Sequence, residues 1–513
     1  MAGRGGDFGP RRGFSASKAE IAAVKQPAGM LGRPQRVFTN DAGQAKEGFC
    51  CLQGGLPMNR PSQILLHKKE WGFLLIVLLG SIHFPFHHSP HRTAFQGLTL
   101  ALTGLFVGLL FLFLRRERRP APDDSISSLG PRGAPPPSRT LAGTILLAAA
   151  WEILSLFALF FQQNLYEKYG YDLDPAVSLS IFAFIFSILF LSWRFKFKAD
   201  LLFGILLSVF VVHQVLSIAY FPLSPFRSDM LPLIQKATGS LLQGENPYRE
   251  YALASGHLYL TYLPGMLLCY FPATALGFDL RVMNLIFFCG AMVFLYCAPS
   301  PGKRPKQLFF IVAIMLNPFL QMRHEVYIFP ILFILSGMYF FLVRQRFFSL
   351  LVWSGAAATV SQLIWVVYPF LAVFLAKRRS MRTVVKLLAS VMAGTGMIVL
   401  PFLLADPENF VAGSYGAWEK ALSLPTLNFS FWILKAVPLS LLKFVQLAVL
   451  AALWIRSIFV LKSLKDLFQW ASIAYFAFIL TNRVVWPYFF MIGILLLLFF
   501  HLAEDSKSLE SED

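Results

Sequence analysis

The sequence predicts an all-α protein, a polytopic transmembrane bundle of about fourteen helices with further helices lying at its outer face. Three observations carry that prediction. Hydrophobic residues make up 56 % of the 513 positions and charged residues only 14 %, and the mean hydropathy of +0.61 is outside the range of soluble globular domains. The apolar residues fall into runs near the length that crosses a hydrocarbon core, about 20 residues. The Lys and Arg behind the net charge of +18 cluster between those runs, as inner loops do under the positive-inside rule. That distribution assigns the charge to membrane topology and excludes nucleic acid as its partner. Membrane lipid is then the solvent for most of the chain, and the 53 Phe and 10 Trp suit its core and interface.

Residues 1–67 are polar and rich in Gly, Pro and Arg, with no sustained apolar run. They read as a disordered basic cytoplasmic tail. Met58 precedes a basic stretch and the first helix, so a start-codon artefact is the alternative reading. Residues 68–200 hold the N-terminal transmembrane helices, over about Trp71–Phe86, Gln96–Leu114, Leu141–Phe161 and Val177–Trp193. Arg115, Arg116, Arg118 and Arg119, and then Arg194, Lys196 and Lys198, place their loops inside. Tyr166, Glu167, Asp172 and Asp174 then lie outside.

Residues 201–501 form the main transmembrane module, opened by a helix over Leu201–Tyr220 and a polar outer stretch from Phe221 to His257. The apolar segment His257–Phe278 is interrupted by Pro264, Gly265 and Pro272. A full crossing there would put Lys303, Arg304 and Lys306 outside, so the segment reads as re-entrant or interfacial. Helices follow over about Arg281–Cys297, Leu308–Leu320, Tyr327–Leu342, Phe347–Val360, Leu363–Ala376, Val384–Leu404, Leu439–Phe459, Leu467–Leu480 and Trp486–His501. Arg344/Arg346, Lys377/Arg378/Arg379 and Lys462/Lys465 fall inside. Residues 502–513 are an acidic tail. Both termini are then cytoplasmic, in a plasma (inner) membrane protein whose working face is the outer or periplasmic one.

Cys50, Cys51, Cys269, Cys289 and Cys297 show neither zinc spacing nor a disulfide framework. His83, His87, His88 and His91 crowd the first outer turn without the spacing of a standard metal site, and read as interfacial polar residues. Glu152 is an intramembrane acid, a functional pointer or a protonated helix contact. No metal site and no cofactor are expected, with a divalent cation left open.

Four polar patches share the outer face: Phe221–Tyr251, Arg323–Glu325, Asp406–Asn428 and Asn482–Trp486. Basic residues are disfavoured in translocated loops, so Arg227, Arg249, Arg323 and Arg483 point to an anion to be held, or to headgroup phosphates and neighbouring carboxylates. One patch carries a pattern. Ser228-Asp229-Met230 is followed by Leu241-Leu242-Gln243-Gly244-Glu245-Asn246-Pro247-Tyr248 and then by Tyr262-Leu263-Pro264. This resembles the first outer loop of the GT-C membrane glycosyltransferases, especially the polyprenol-phosphate-mannose-dependent group of glycosyltransferase family 87. Pro401-Phe402, Asp406-Pro407-Glu408-Asn409-Phe410, Asn428-Phe429-Ser430 and Trp486-Pro487-Tyr488 resemble its later landmarks. The resemblance covers about Leu201 to His501.

The sequence also departs from that pattern. Pro232 and Leu233 stand where a Tyr is expected after the Asp, Gly265 replaces the second Pro, and Met322-Arg323-His324-Glu325 replaces a Gly-Gln-polar turn. A Lys of the later helical pair is missing, with Trp365 nearby.

The resemblance implies transfer of a sugar, mannose-like, from a polyprenyl-phosphate donor to a glycan or lipid acceptor. Asp229 matches the catalytic acid position. A sugar hydroxyl is a poor nucleophile, so a carboxylate within hydrogen-bond reach must take its proton as it attacks the anomeric carbon. Arg227, Arg323, His324 and Arg483 are candidates to stabilise the departing lipid phosphate. Tyr248, Tyr262, Trp418 and Asn428 are candidate substrate-binding residues. Glu325 reads as a second acid or metal ligand, or as an ion-pair partner of Arg323. Trp418 and Tyr415 read as sugar-stacking platforms or interface anchors. Without the resemblance, Asp229 reads as the N-cap of a helix over Leu231–Leu242. A transporter or flippase of lipid-linked sugars is the competing class. No internal repeat and few mid-bilayer ionisable residues support it.

Overall fold

The computed structural model describes residues 197–220, 229–253, 256–299, 326–416, 438–482 and 487–503, with isolated positions 187, 190, 223, 304, 307, 308 and 311. Apart from those isolated positions, the four N-terminal helices, the helix expected over Leu308–Leu320 and both tails beyond these ranges lie outside the described residues. Of the described part, 83 % is helical.

Helices α1 (Ala199–Tyr220) and α2 (Met230–Leu242) precede a hairpin of β1 (Glu250–Leu253) and β2 (Gly256–Tyr259), paired antiparallel with Glu250 opposite Tyr259. Then come α3 (Pro264–Leu276), α4 (Leu280–Cys297), α5 (Ile328–Val343), α6 (Phe347–Val360), α7 (Tyr368–Arg378), α8 (Met381–Ile398), α9 (Leu400–Ala405) and α10 (Pro407–Val411). Finally α11 (Leu439–Val460), α12 (Leu464–Thr481) and α13 (Phe490–Ala503) close the chain. Among the described helices α4, α8 and α11 are long and apolar enough to cross a membrane, while α3, α5, α6 and α13 are shorter apolar helices.

Local chemistry explains where the elements differ from expectation. The run expected as one helix from Leu363 begins as a 3-10 helix over Gln362–Val367, because Pro369 has no N–H to bond the carbonyl four residues back. The helix expected through Leu404 ends at Ile398 and restarts at Leu400, with Pro401 in the first turn of the new segment. The hairpin was not expected. Two four-residue strands are not stable alone, and α2 holds them: Lys236 Nζ donates to the Ala252 carbonyl at 2.5 Å. Helix α3 starts at Pro264 after an extended Leu263, as a residue before proline should be, and stops at Gly277 with φ 72°.

Helix α13 is apolar on every side and buried over nearly its whole length, so it occupies the interior beside α5 and α12. Tyr339 of α5 stacks on Phe499 of α13 at 4.5 Å. Helices α8 and α11 are peripheral, with 17 % and 11 % of their most apolar stretches buried. Helix α8 lies very close to α6. Ser390 donates to the Leu351 carbonyl at 2.5 Å, and Gly394 faces the Gly355 backbone with no room for a side chain, a small-residue contact common between membrane helices.

The two ends of the bundle differ in chemistry. At one end Arg304 donates to Asp200 at 2.8 Å, Arg344 to the Cys297 carbonyl at 2.6 Å, and Arg379 to Gln345 at 2.7 Å. Lys377 and Arg378 reach the carbonyls of Leu461 and Lys462 there. Helices α1 and α4 run antiparallel between this basic end and the other, since Tyr296 bonds Asp200 while Arg281 bonds the Ile218 carbonyl. Both flanks of α3 stay at the far end. Gly265 abuts Thr359 in the last turn of α6, and Asp279, just past α3, pairs with Arg281 beside Ile218.

Candidate functional site

Asp229 sits at the far end, half-buried, at the N-cap position of α2. Its backbone is already helical (φ −86°, ψ −11°) and its side chain makes no capping hydrogen bond. The capping role expected from Ser228-Asp229 is therefore corrected, since a cap needs an extended backbone to turn its oxygen onto the first-turn amides. The Asp229 carbonyl accepts from Leu233 N at 2.9 Å. Position comes from packing: the hydroxyls of Thr238 on α2 and Thr274 on α3 are hydrogen-bonded at 2.7 Å.

Beside Asp229 lies a cluster of buried tyrosines contributed by three separate segments. Tyr262 precedes α3, Tyr327 precedes α5, and Tyr488 lies in the turn before α13. The Tyr262 and Tyr327 rings are 4.4 Å apart, and the Tyr327 and Tyr488 rings 5.6 Å apart edge to face. The Asp229 charge is within electrostatic reach of Tyr262 and Tyr488. Burial holds the Tyr262 hydroxyl well above the usual phenol range, with Tyr327 and then Asp229 adding to the effect. Tyr262 is therefore a neutral phenol at physiological pH.

A second layer fixes this cluster. Tyr248 is fully buried, and its hydroxyl donates to the Tyr262 carbonyl at 2.7 Å. Its ring packs on Phe410 at 4.6 Å and Phe402 at 5.9 Å. The Tyr270 hydroxyl bonds the Asn284 side-chain oxygen, and Asn284 Nδ2 donates to the Val326 carbonyl at 3.0 Å, anchoring the chain just after Glu325. Gly413 meets the Leu260 carbonyl so closely that a side chain there has no space. On the rim, the Asp406 side chain caps α10 through Asn409 N at 3.0 Å. Hydrogen bonds from Asn409 hold the Asp406 carboxyl below the usual carboxylate range. Exposed Tyr415 lies under Lys443, whose Nζ is 5.2 Å from the ring centroid.

Of the residues singled out from sequence, the structure places Asp229, Tyr248 and Tyr262 at one end of the bundle, with Tyr248 behind Tyr262. Arg227, Arg323, His324, Glu325, Trp418, Asn428 and Arg483 lie outside the described residues, as do Glu152 and the four N-terminal histidines. Arg249, read from sequence as one of the cations facing an anion, pairs with Glu245 at 2.7 Å. Tyr327 was missed, and Tyr488 was noted only as part of a landmark; their signal was a tyrosine at the edge of an apolar run, which reads equally as an interface anchor. Among the described residues no three His, Cys, Asp or Glu side chains gather as a metal site. In chemical terms the arrangement sets a partly accessible carboxylate against neutral phenols, a proton acceptor next to hydrogen-bond donors. No protein-family model, no curated protein and no solved structure matches the chain.

Proposed function

We propose that this chain is a membrane glycosyltransferase of GT-C type, moving a mannose-like sugar from a polyprenyl phosphate to a glycan or lipid acceptor. The observation that supports the reading is Asp229, a half-buried carboxylate at the start of α2, within electrostatic reach of the Tyr262 and Tyr488 phenols. The acceptor hydroxyl oxygen bonds to the anomeric carbon, the bond from that carbon to the phosphate oxygen breaks, and Asp229 takes the hydroxyl proton. Tyr248 and Tyr262, buried behind the carboxylate, shape the sugar-binding side of the site from within. Arg227, Arg323, His324 and Arg483 hold the departing phosphate, and Trp418 and Asn428 contact sugar, with Glu325 as the alternative base. The basic end faces the cytoplasm under the positive-inside rule, which puts Asp229 and the α3 segment on the outer face of the plasma membrane.

The test is incubation of purified protein with labelled polyprenyl-phosphate sugars. Wild-type protein forms a labelled glycoside, and Asp229→Asn forms it about 10²–10⁴-fold more slowly. Asn keeps the side-chain volume and can still cap the following helix, and the melting of both proteins is compared so that lost folding is told apart from lost chemistry. Transfer at the wild-type rate by Asp229→Asn removes the proposed base, and movement of the lipid-linked sugar between leaflets without glycoside formation favours the transporter.

A further inference from the structure

Helix α8 presents Arg382 and Lys386 one turn apart on an exposed face near the basic end. They form no ion pair or hydrogen bond with any described residue, and the first turn of α8 contains no acidic side chain. Both sit in the N-terminal part of their helix, where the macrodipole opposes positive charge, so nothing within the helix compensates them. Helical side chains lean toward the N-terminus, which brings the deeper Lys386 amine toward the level of the Arg382 guanidinium. The adjoining stripe of the same helix is apolar and exposed: Val385 at 61 %, Leu388 at 53 % and Met392 at 73 %. Arg379, in the preceding turn, lies over the Phe347 ring at 4.4 Å and adds a third cation at the same level.

Two unpaired cations at the top of an exposed apolar stripe complement a molecule with an anionic head and long apolar tails. We propose that this face of α8 holds an anionic glycerophospholipid of the surrounding bilayer, its phosphate between Arg382 and Lys386 and its acyl chains along Val385, Leu388 and Met392. The inference rests on the chain being embedded in a bilayer and is independent of sugar transfer. The charge complementarity selects the headgroup, and the apolar stripe selects a lipid over a free phosphate.

The experiment reconstitutes the full chain in nanodiscs of phosphatidylcholine with about 10 mol % phosphatidylglycerol, so that surface charge stays low, extracts it into detergent and measures co-purifying lipid by mass spectrometry. Wild-type protein retains phosphatidylglycerol in preference to phosphatidylcholine. Arg382→Gln/Lys386→Gln lowers that preference about thirtyfold, since each cation near a membrane surface contributes about fivefold. Millimolar inorganic phosphate does not displace the lipid. Equal retention of the two lipids by wild type, an unchanged preference in the double variant, or displacement by inorganic phosphate would each overturn the proposal.

Discussion

Substituting Gly394 by Ala tests a close backbone contact between α6 and α8. A Cβ built at Gly394 meets the Gly355 carbonyl oxygen, with the carbonyl carbon at 2.8 Å and Cα at 3.1 Å. These atoms are backbone, so no side-chain rotation relieves the overlap, and α6 and α8 must separate by roughly 1 Å to reach ordinary contact. Overpacking of this kind costs about 1–3 kcal/mol. The separation also lengthens the Ser390 to Leu351 hydrogen bond, now 2.5 Å, and such bonds between membrane helices average about 0.6 kcal/mol. Gly394→Ala is therefore expected to lose about 2–3 kcal/mol, and Ser390→Ala only about 0.6. The assay is unfolding in mixed detergent micelles titrated with a denaturing detergent, followed by tryptophan fluorescence. If Gly394→Ala unfolds within about 0.5 kcal/mol of wild type, the range of a neutral surface change, the reasoning from backbone contact is wrong.

Three further outcomes are expected. Asp279→Ala leaves the Arg281 guanidinium, 1 % exposed, without its bidentate partner and lowers stability by about 3 kcal/mol or more in the same assay. Replacing both residues by apolar ones costs less than that single change. Asp406 has a carboxyl pKa below its unfolded value, so its contribution is present above the ordinary carboxylate range and is lost as pH falls through the lower folded value. Amide exchange at Glu408–Phe410 should accelerate on acidification below about pH 4, and Asp406→Asn should abolish that dependence. Tyr488→Ala removes the buried ring that meets Tyr327 edge to face at 5.6 Å and is expected to cost about 3 kcal/mol or more; a value near zero would mean the ring pair does not brace the turn before α13.

The helices were legible where apolar runs were bounded by charge or by a helix stop. Phe347–Val360 is bracketed by Arg346 and by Ser361, and the structure reproduces both limits. Prolines had to be weighed individually: Pro264 was read as a break, while Pro369 and Pro401 were passed over. The hairpin was hidden because its stability comes from Lys236 and Tyr251 reaching other segments, and four-residue strands carry no usable alternation. Asp229 and Tyr262 were found from a local motif. The tyrosine cluster around them joins segments far apart in the chain, and hydropathy, which locates spans, does not say which span ends meet.

The carbonyl contacts at the basic end also constrain how the protein is made. Lys377 and Arg378 bond the carbonyls of Leu461 and Lys462, 84 residues later in the chain. At about 5–20 residues per second of synthesis, those acceptors emerge roughly 4 to 17 s after the cations that bind them. During that interval Lys377 and Arg378 lack those acceptors, so water and headgroups solvate them at the membrane boundary. Their charge keeps the end of α7 at that boundary until α11 and α12 arrive, and the late bonds then tie it to the segment that joins those two helices.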